Sequence, residues 1–335
     1  MSAVVFDLGG THLRCALANN SGAIDRLEKK RIANFIGGHR PDIIWQEVRS
    51  SIVRFESSVK CDIPGDAPIV LSFPGPIAYP SRILSAPTLV GEGNSIPDLG
   101  SELAELTGRP VHLLNDISAA AWYISEDIEA SRFMVVTISS GIGSKIFDRH
   151  SLRKVLDDVP YAGEIGHVVV DSSADAIMCD CGGRGHLGAI ASGRGIERFA
   201  RRMAEEDARG FTGSACFSKF GASASTLTNE HHLVPAAALR DPWALDIIRT
   251  CSRPLARMLL SVVLAVGVQK VIIIGGFALA LGEVYLDIIR TDLIAACDYG
   301  VMADYVHGLV AMGNVNDEAC LKGAAIYARS LQMQS

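Results

Sequence analysis

The chain lacks any long basic run, any apolar stretch of membrane-spanning length, and any short-period repeat or low-complexity segment. Its 31 Lys and Arg against 37 Asp and Glu give a formal net charge of -6. Nothing concentrates cations where a nucleic-acid backbone would need them, so no nucleic-acid partner is expected. The longest apolar stretch, Met258 to Val268, is shorter than the roughly 20 residues a spanning helix requires, and Arg253 and Arg257 precede it. No membrane partner is expected either. Met1 leads almost at once into Val4-Val5-Phe6, which fits neither a signal peptide nor a lipidation motif, so the expected location is the cytoplasm. Cysteine is not scarce, with eight in the chain. In a cytosolic protein of this size they imply no disulfide framework. Cys179 and Cys181 alone are close in sequence.

What is present is ordinary for a globular enzyme. The chain has 335 residues, of which 49% are hydrophobic and 20% charged. That length buries a large core and suggests two domains. The first forty residues read as strand, tight turn, strand, with Val4-Val5-Phe6, Gly9-Gly10 and then Leu13 to Ala18. Residues 42–56 carry Ile43, Ile44, Val48, Ile52 and Phe55 on one helical stripe. Pro68 to Phe73 reads as a buried strand stopped by Pro74-Gly75-Pro76, and Leu99 to Thr107 as a helix ended by Gly108. Val111 to Leu114 is a further strand. The second half repeats this grammar. It has a strand from Phe133 to Ile138, a turn from Ser139 to Gly143, and a resumed strand near Lys145-Ile146-Phe147. An amphipathic helix is expected over 194–209, and another over 253–266 leading into a strand, Val271 to Ile274, that ends at Gly275-Gly276. Strands alternating with helices predict an α/β fold. One strand–glycine turn–strand unit in each half predicts two related lobes facing a cleft.

Four segments carry chemistry. In Asp7-Leu8-Gly9-Gly10-Thr11 the glycines would let backbone N–H groups approach phosphate oxygens, and Thr11 adds a hydroxyl. Asp7 could hold magnesium, usually through water. The segment could equally be a plain hairpin turn. Ser139-Ser140-Gly141-Ile142-Gly143 is a second hydroxyl-and-glycine turn at a strand end, and such a pair could clasp the phosphates of a nucleotide. In Leu113-Leu114-Asn115-Asp116 a carboxylate follows a strand and precedes Ala119-Ala120-Ala121, which permit close helix packing. Asp116 could take a proton from a hydroxyl attacking a γ-phosphate, or cap the following helix, or do both. Finally, His167, Cys179, Cys181 and His186 form a cluster of soft and borderline ligands among glycines, which suits tetrahedral zinc.

In order, these motifs resemble those of the ROK family of sugar kinases and repressors, within the actin/hexokinase superfamily. The matching segments are DxGGTxxR from Asp7, PGP at 74–76, LNDxxAAA at 113–121, SGIG at 140–143, GExGH at 163–167, CxCG at 179–182, SGxG at 192–195 and a strand into Gly275-Gly276. The resemblance covers nearly the whole chain. It implies a two-lobed actin-like ATPase fold, of the ribonuclease H-like kind, with an interlobe cleft. The small lobe would cover 1–115 plus 318–335, and the large lobe with its zinc loop 116–317. It further implies an ATP-dependent kinase acting on a small sugar or cyclitol with magnesium. Gly9, Gly10 and Thr11 look like the first phosphate loop, with Asp7 near the metal. Ser140, Gly141 and Gly143 look like the second, and Gly275 and Gly276 like the adenosine turn. Asn115 and Asp116 match the pair that holds sugar hydroxyls, with Asp116 also the base. Glu164 and His167 match the sugar-contacting Glu and a zinc-ligating His that can also touch substrate. Cys179 and Cys181 match two zinc ligands. A homodimer is expected.

Several positions depart from the family pattern. His186 stands where a third zinc Cys is usual, and Gly188 where a Glu contacts the C1–C2 end of glucose in the family's glucose kinases. Ser139-Ser140 replaces Gly-Thr, Lys145 replaces a small residue, and Ala78 stands where Asp often follows the PGP turn. The Asn usual in the next segment is not evident in Ala86-Pro87-Thr88-Leu89. The phosphate chemistry reads as intact and the sugar pocket as altered. The expected acceptor is therefore an amino sugar, kanosamine-like at its 6-hydroxyl, or a C7-cyclitol, valiolone-like at its 7-hydroxyl, in antibiotic-type pathways. Glucose is the alternative. Repressors of the family carry a helix-turn-helix ahead of the first phosphate loop; here that loop begins at residue 7, so a repressor is not expected. A silent sugar-binding protein is opposed by Asp116, Glu164 and both phosphate turns. Arg14 and Lys145 are left outside the catalytic set: Arg14 reads as a strand-end residue, and Lys145 as either a phosphate neutraliser or a solvent-facing cation.

Overall fold

A computed structural model describes residues 2–78, 80–150, 154–159, 161–297 and 302–332. The chain divides into two compact units. The first comprises Met1–Glu129, Ser151–Ala162 and Val315–Ser335, and the second Ala130–His150 and Gly163–Asn314.

In the first unit, Ala3–Leu8 is buried at every position, as its continuous apolar run requires. It pairs antiparallel with His12–Ala18 on one side and parallel with Ile69–Phe73 on the other. Val111–Asn115 adds in parallel beyond Ile69–Phe73, and Ile24–Arg31 adds antiparallel beyond His12–Ala18. That last strand was not legible in the sequence. Its run IDRLEKKR is largely exposed and charged, as an outer strand that must resist edge pairing tends to be. The helix Pro41–Val59 lays Ile44, Trp45, Val48, Ile52 and Phe55 on the core. Leu99–Thr107 ends at Gly108 in the left-handed conformation, as its sequence predicts.

The second unit repeats the pattern. Arg132–Ile138 pairs antiparallel with Ile142–Asp148 and parallel with Lys270–Ile274, which pairs in parallel with Val310–Met312. The expected 194–209 helix runs from Gly193 to Glu206, where Asp207 begins a separate helix, Ala208–Gly213, by accepting from the Gly210 N–H. The helix expected over 253–266 is the end of a longer one, Pro242–Val266. Pro254 in its interior masks the upstream turns. Asp241 caps its N-terminus, with Pro242 at the first position.

The boundaries also differ from the sequence reading, which ended the first lobe at 115 and resumed it at 318. The helix Asp116–Ile124 belongs to the first unit because it packs on Ala319–Gln332. A Cβ on Gly323 would fall 1.8 Å from the Ala119 carbonyl oxygen. The alanine run after Asp116 and Gly323 together allow two backbones to touch. Among the described residues no helix is long and apolar enough to cross a membrane.

Candidate active site

The first unit builds a polar cluster at the ends of its strands. Register decides which residues meet. Asp7 lies opposite Arg14 on one neighbouring strand and opposite Ser72 on the other. Its carboxylate accepts from Ser72 Oγ at 3.0 Å and from Arg14 Nη1 at 3.1 Å. Arg14 reaches Asp317 with its other amino group, also at 3.1 Å. Asp7 is buried, and that burial raises its carboxyl above the usual range, against the pull of Ser72 and Arg14. Arg14 is thus the ion-pair partner of Asp7, which fits its strand-end structural reading.

The turn after Asp7 is a hairpin, closed by the Gly9 N–H donating to the His12 carbonyl at 2.8 Å. Neither Gly9 nor Gly10 has positive φ. A Cβ on Gly9 or Gly10 would find only ordinary contacts, at 3.6 and 3.4 Å. The fold alone therefore does not demand glycine at either position. Thr11 is exposed beside it, with its hydroxyl 2.9 Å from His12 Nδ1.

Asn115 is the N-cap of the helix Asp116–Ile124. Its Oδ1 accepts from the backbone of Ile117 at 3.0 Å and Ser118 at 3.3 Å. Its amide donates to the Gly75 carbonyl at 3.0 Å and to Asp116 Oδ1 at 3.0 Å. The Ile117 N–H also donates to Asp116 Oδ1, at 2.9 Å. Capping thus falls to Asn115, and Asp116 is the first helical residue, held at one oxygen by two donors. Beneath it, the Cys320 thiol donates to the Asp116 carbonyl at 3.4 Å. Burial, with Asp7 and Asp116 nearby, pushes that thiol well above its ordinary range, so it stays protonated.

In the second unit the Ser139–Gly143 turn is closed by the Ser139 N–H donating to the Gly141 carbonyl at 3.0 Å. Ser140 and Gly141 are exposed, and Gly143 is buried in the strand that follows. Gly275 has φ +99°, and a Cβ there would lie 2.5 Å from the Ile138 nitrogen, so only glycine fits. Gly276 opens the next helix, exposed, near the Ser139 hydroxyl. The expected adenosine turn and the second phosphate turn are therefore neighbours within this unit. Lys145 is buried on Ile142–Asp148, which rules out the solvent-facing reading.

Glu164 and His167 sit on one tight turn, the His167 N–H donating to the Glu164 carbonyl at 3.0 Å. Gly163, at φ +84°, pins it: the Ser144 N–H donates to its carbonyl at 2.8 Å, and a Cβ would clash with the Ser144 oxygen. The ligand atoms of His167, Cys179, Cys181 and His186 all lie within 4.8 Å of one another. Around zinc, donors at about 2.0–2.3 Å stand roughly 3.3–3.8 Å apart in a tetrahedron. Small side-chain adjustments would close the set, so two thiols and two imidazoles fit that ion. Cys181 Sγ already lies 3.2 Å from His186 Nδ1. Asp180, between the cysteines, is clamped by Arg194 and by Arg198, the latter at 3.0 Å.

Sequence reasoning missed Ser72 and Asp317. Ser72 had a faint signal, a lone hydroxyl inside the apolar run PIVLSF, whereas nothing marked Asp317.

The sequence pattern of the ROK family matches residues 3–330. The chain is 37% identical over 327 residues to a C(7)-cyclitol 7-kinase of Streptomyces hygroscopicus subsp. limoneus, spanning 96% of this chain and 92% of that protein. It is 30% identical over 231 residues to an N-acetylmannosamine kinase of Vibrio vulnificus CMCP6, spanning 68% of each. The crystal structure of a ROK family glucokinase from Streptomyces griseus, in complex with glucose and AMPPNP, matches with a TM-score of 0.70 at 22% identity, over 98% of this chain and 99% of that one. The fold is the actin-like ATPase fold, and the protein is an enzyme, a phosphotransferase of the sugar-kinase type. The chain belongs to the ROK family.

Proposed function

We propose that the protein transfers the γ-phosphoryl group of ATP to the exocyclic primary hydroxyl of a hexose-like ring. The favoured acceptor is a C7-cyclitol of the valiolone type, at its 7-hydroxyl. An amino sugar such as kanosamine, at its 6-hydroxyl, comes second, and glucose is the competing acceptor. The observation that carries the reaction is Asp116, fixed at one oxygen by Asn115 and the Ile117 N–H. As the acceptor oxygen attacks Pγ, its proton passes to this carboxylate, the new O–P bond forms, and the bond to the bridging oxygen of ADP breaks. Asn115, Asp116, Glu164 and His167 grip the acceptor. The turns at Gly9–Thr11 and Ser140–Gly143 hold phosphates, and Gly275-Gly276 the adenosine. Magnesium, when bound with the nucleotide, neutralises charge on its phosphate oxygens. Asp7, whose oxygens accept from Ser72 and Arg14, would hold that ion, usually through water, because Mg²⁺ keeps part of its shell.

Two observations support the choice of acceptor. One is the 37% identity to a C(7)-cyclitol 7-kinase across 96% of the chain. The other is Gly188. Without a carboxylate there, selection for a glucose-like diol loses a contact of about 1.5–3 kcal/mol. A Cβ at 188 would stand 3.1 Å from the Gly166 carbonyl oxygen, so any side chain there requires that backbone to give by a few tenths of an ångström. We further propose a structural zinc at the His167–His186 cluster, a cytoplasmic homodimer, and a role in antibiotic-type secondary metabolism.

The test is a panel of C7-cyclitols, amino sugars and hexoses with ATP and magnesium. The highest kcat/KM is expected on a cyclitol or amino sugar, with Gly188→Glu raising relative activity on glucose. A kcat/KM for glucose above every cyclitol and amino sugar would overturn the assignment.

A further inference from the structure

Among the buried polar side-chain atoms of the second unit that lack a protein partner, one lies close to the turns proposed to hold the nucleotide. It is Oδ1 of Asn229. The residue is tightly held. Its backbone N–H donates to Glu197 Oε2 at 2.8 Å, and its side-chain amide donates to the Gly193 carbonyl at 2.6 Å. Glu197 is itself tied to Arg201 at 2.7 Å, and Arg201 to the Leu227 carbonyl at 2.7 Å. The donor bond to Gly193 fixes which end of the amide is the nitrogen, so the orphan atom is an oxygen, an acceptor. Asn229 also opens a single π-helical turn, Asn229–Leu233, a distortion found frequently at functional sites.

Its neighbours belong to the turns proposed to hold the nucleotide. Gly193, which receives the Asn229 amide, donates its own N–H to the Ser139 carbonyl at 2.8 Å, at the start of the second phosphate turn. A Cβ on Gly193 would lie 3.1 Å from that of Phe277, the residue after Gly275-Gly276. One short path of contacts therefore joins Asn229 to both turns. A rigid buried acceptor without a donor costs stability unless something supplies the donor.

We infer that Asn229 is a nucleotide-binding residue, its Oδ1 accepting a hydrogen bond from the nucleoside part of ATP. The donor is either the adenine amino group or a ribose hydroxyl. The inference rests on the proposed use of ATP. It assigns nucleotide selectivity to a residue outside the phosphate and adenosine turns.

The experiment uses the full-length enzyme with its best acceptor and compares ATP, ITP, 2′-deoxy-ATP and 3′-deoxy-ATP, for wild type and Asn229→Ala. Wild type should prefer ATP over the analogue lacking the true donor by about five- to tenfold in kcat/KM, the worth of one neutral hydrogen bond. Asn229→Ala should lose that preference, with the KM for the acceptor unchanged. Loss against ITP identifies the amine, and loss against a deoxy analogue identifies the hydroxyl. Equal weakening for every nucleotide would mean a purely structural role and would overturn the inference, as would an unchanged preference. If Asn229→Ala folds poorly, absence of any ATP-over-analogue preference in wild type overturns it independently. A wild type that phosphorylates no acceptor with ATP would sink the kinase reading instead, which separates the two failures.

Discussion

At the scale of single residues, the carboxylates of the first unit divide their duties by environment. Asp116 is half-buried at a helix start, with two donors on one oxygen. Replacing it with Asn keeps the shape and removes the proton acceptor. Steady-state kinetics of Asp116→Asn should show kcat lower by roughly 10²-fold or more, with the melting temperature retained. Near-normal kcat would disprove the base assignment. Asp7 is buried against Arg14, whose side chain is only 15% exposed. Arg14→Ala leaves a buried carboxylate with Ser72 as its remaining named partner. That should cost about 3 kcal/mol in denaturant unfolding, in the range for breaking a buried pair from one side. A loss below the surface-pair level of about 1 kcal/mol would mean that water replaces the guanidinium. Asn115 and Asp116 were legible because a strand end, a cap and a helix start are local in sequence. Ser72 and Asp317 were not, because their meeting with Asp7 and Arg14 is set by strand register and chain closure over 65 and 303 residues.

At the scale of elements, the loop from His167 to His186 is where the proposed zinc would act. It is held by isolated bridges, Val169 with His186 and Met178 with Arg184, and by backbone hydrogen bonds such as Val170 N–H to the Gly185 carbonyl, while almost none of its apolar residues is buried. Four protein ligands leave no open position for catalysis, so zinc there would hold the turn carrying Glu164. Metal analysis of protein purified without added zinc should find about one ion per chain. His186→Ala should lower that content and raise the KM for the acceptor more than the KM for ATP. An unchanged zinc content in His186→Ala would remove His186 from the ligand set. The elements themselves were legible wherever apolar periodicity was strong, as in Pro41–Val59 and Lys270–Ile274. Ile24–Arg31 was not, because an exposed strand carries no alternation to detect.

At the scale of the whole molecule, each unit uses the same device: an antiparallel hairpin whose glycine turn stands at the end of a parallel sheet. The repetition matches the actin-like ATPase fold and gives each unit one glycine turn of the kind proposed to hold phosphate. A homodimer is expected in solution. Sedimentation equilibrium should return about twice the 35.7 kDa chain mass, and a concentration-independent monomer would contradict it.

The sequence by itself determined the α/β class, the two glycine turns, the Asn115-Asp116 pair and the Cys/His cluster. Each is encoded within a few residues of chain, by hydrophobic period, glycine placement or ligand spacing. Only the tertiary structure decided that Asp7 is locked to Ser72 and Arg14, that Asp116–Ile124 belongs with Ala319–Gln332, and that Lys145 is buried. It alone also left the oxygen of Asn229 without a partner near the turns proposed to hold the nucleotide. These depend on register, helix contact and burial, which join residues far apart in the chain and leave no pattern along it.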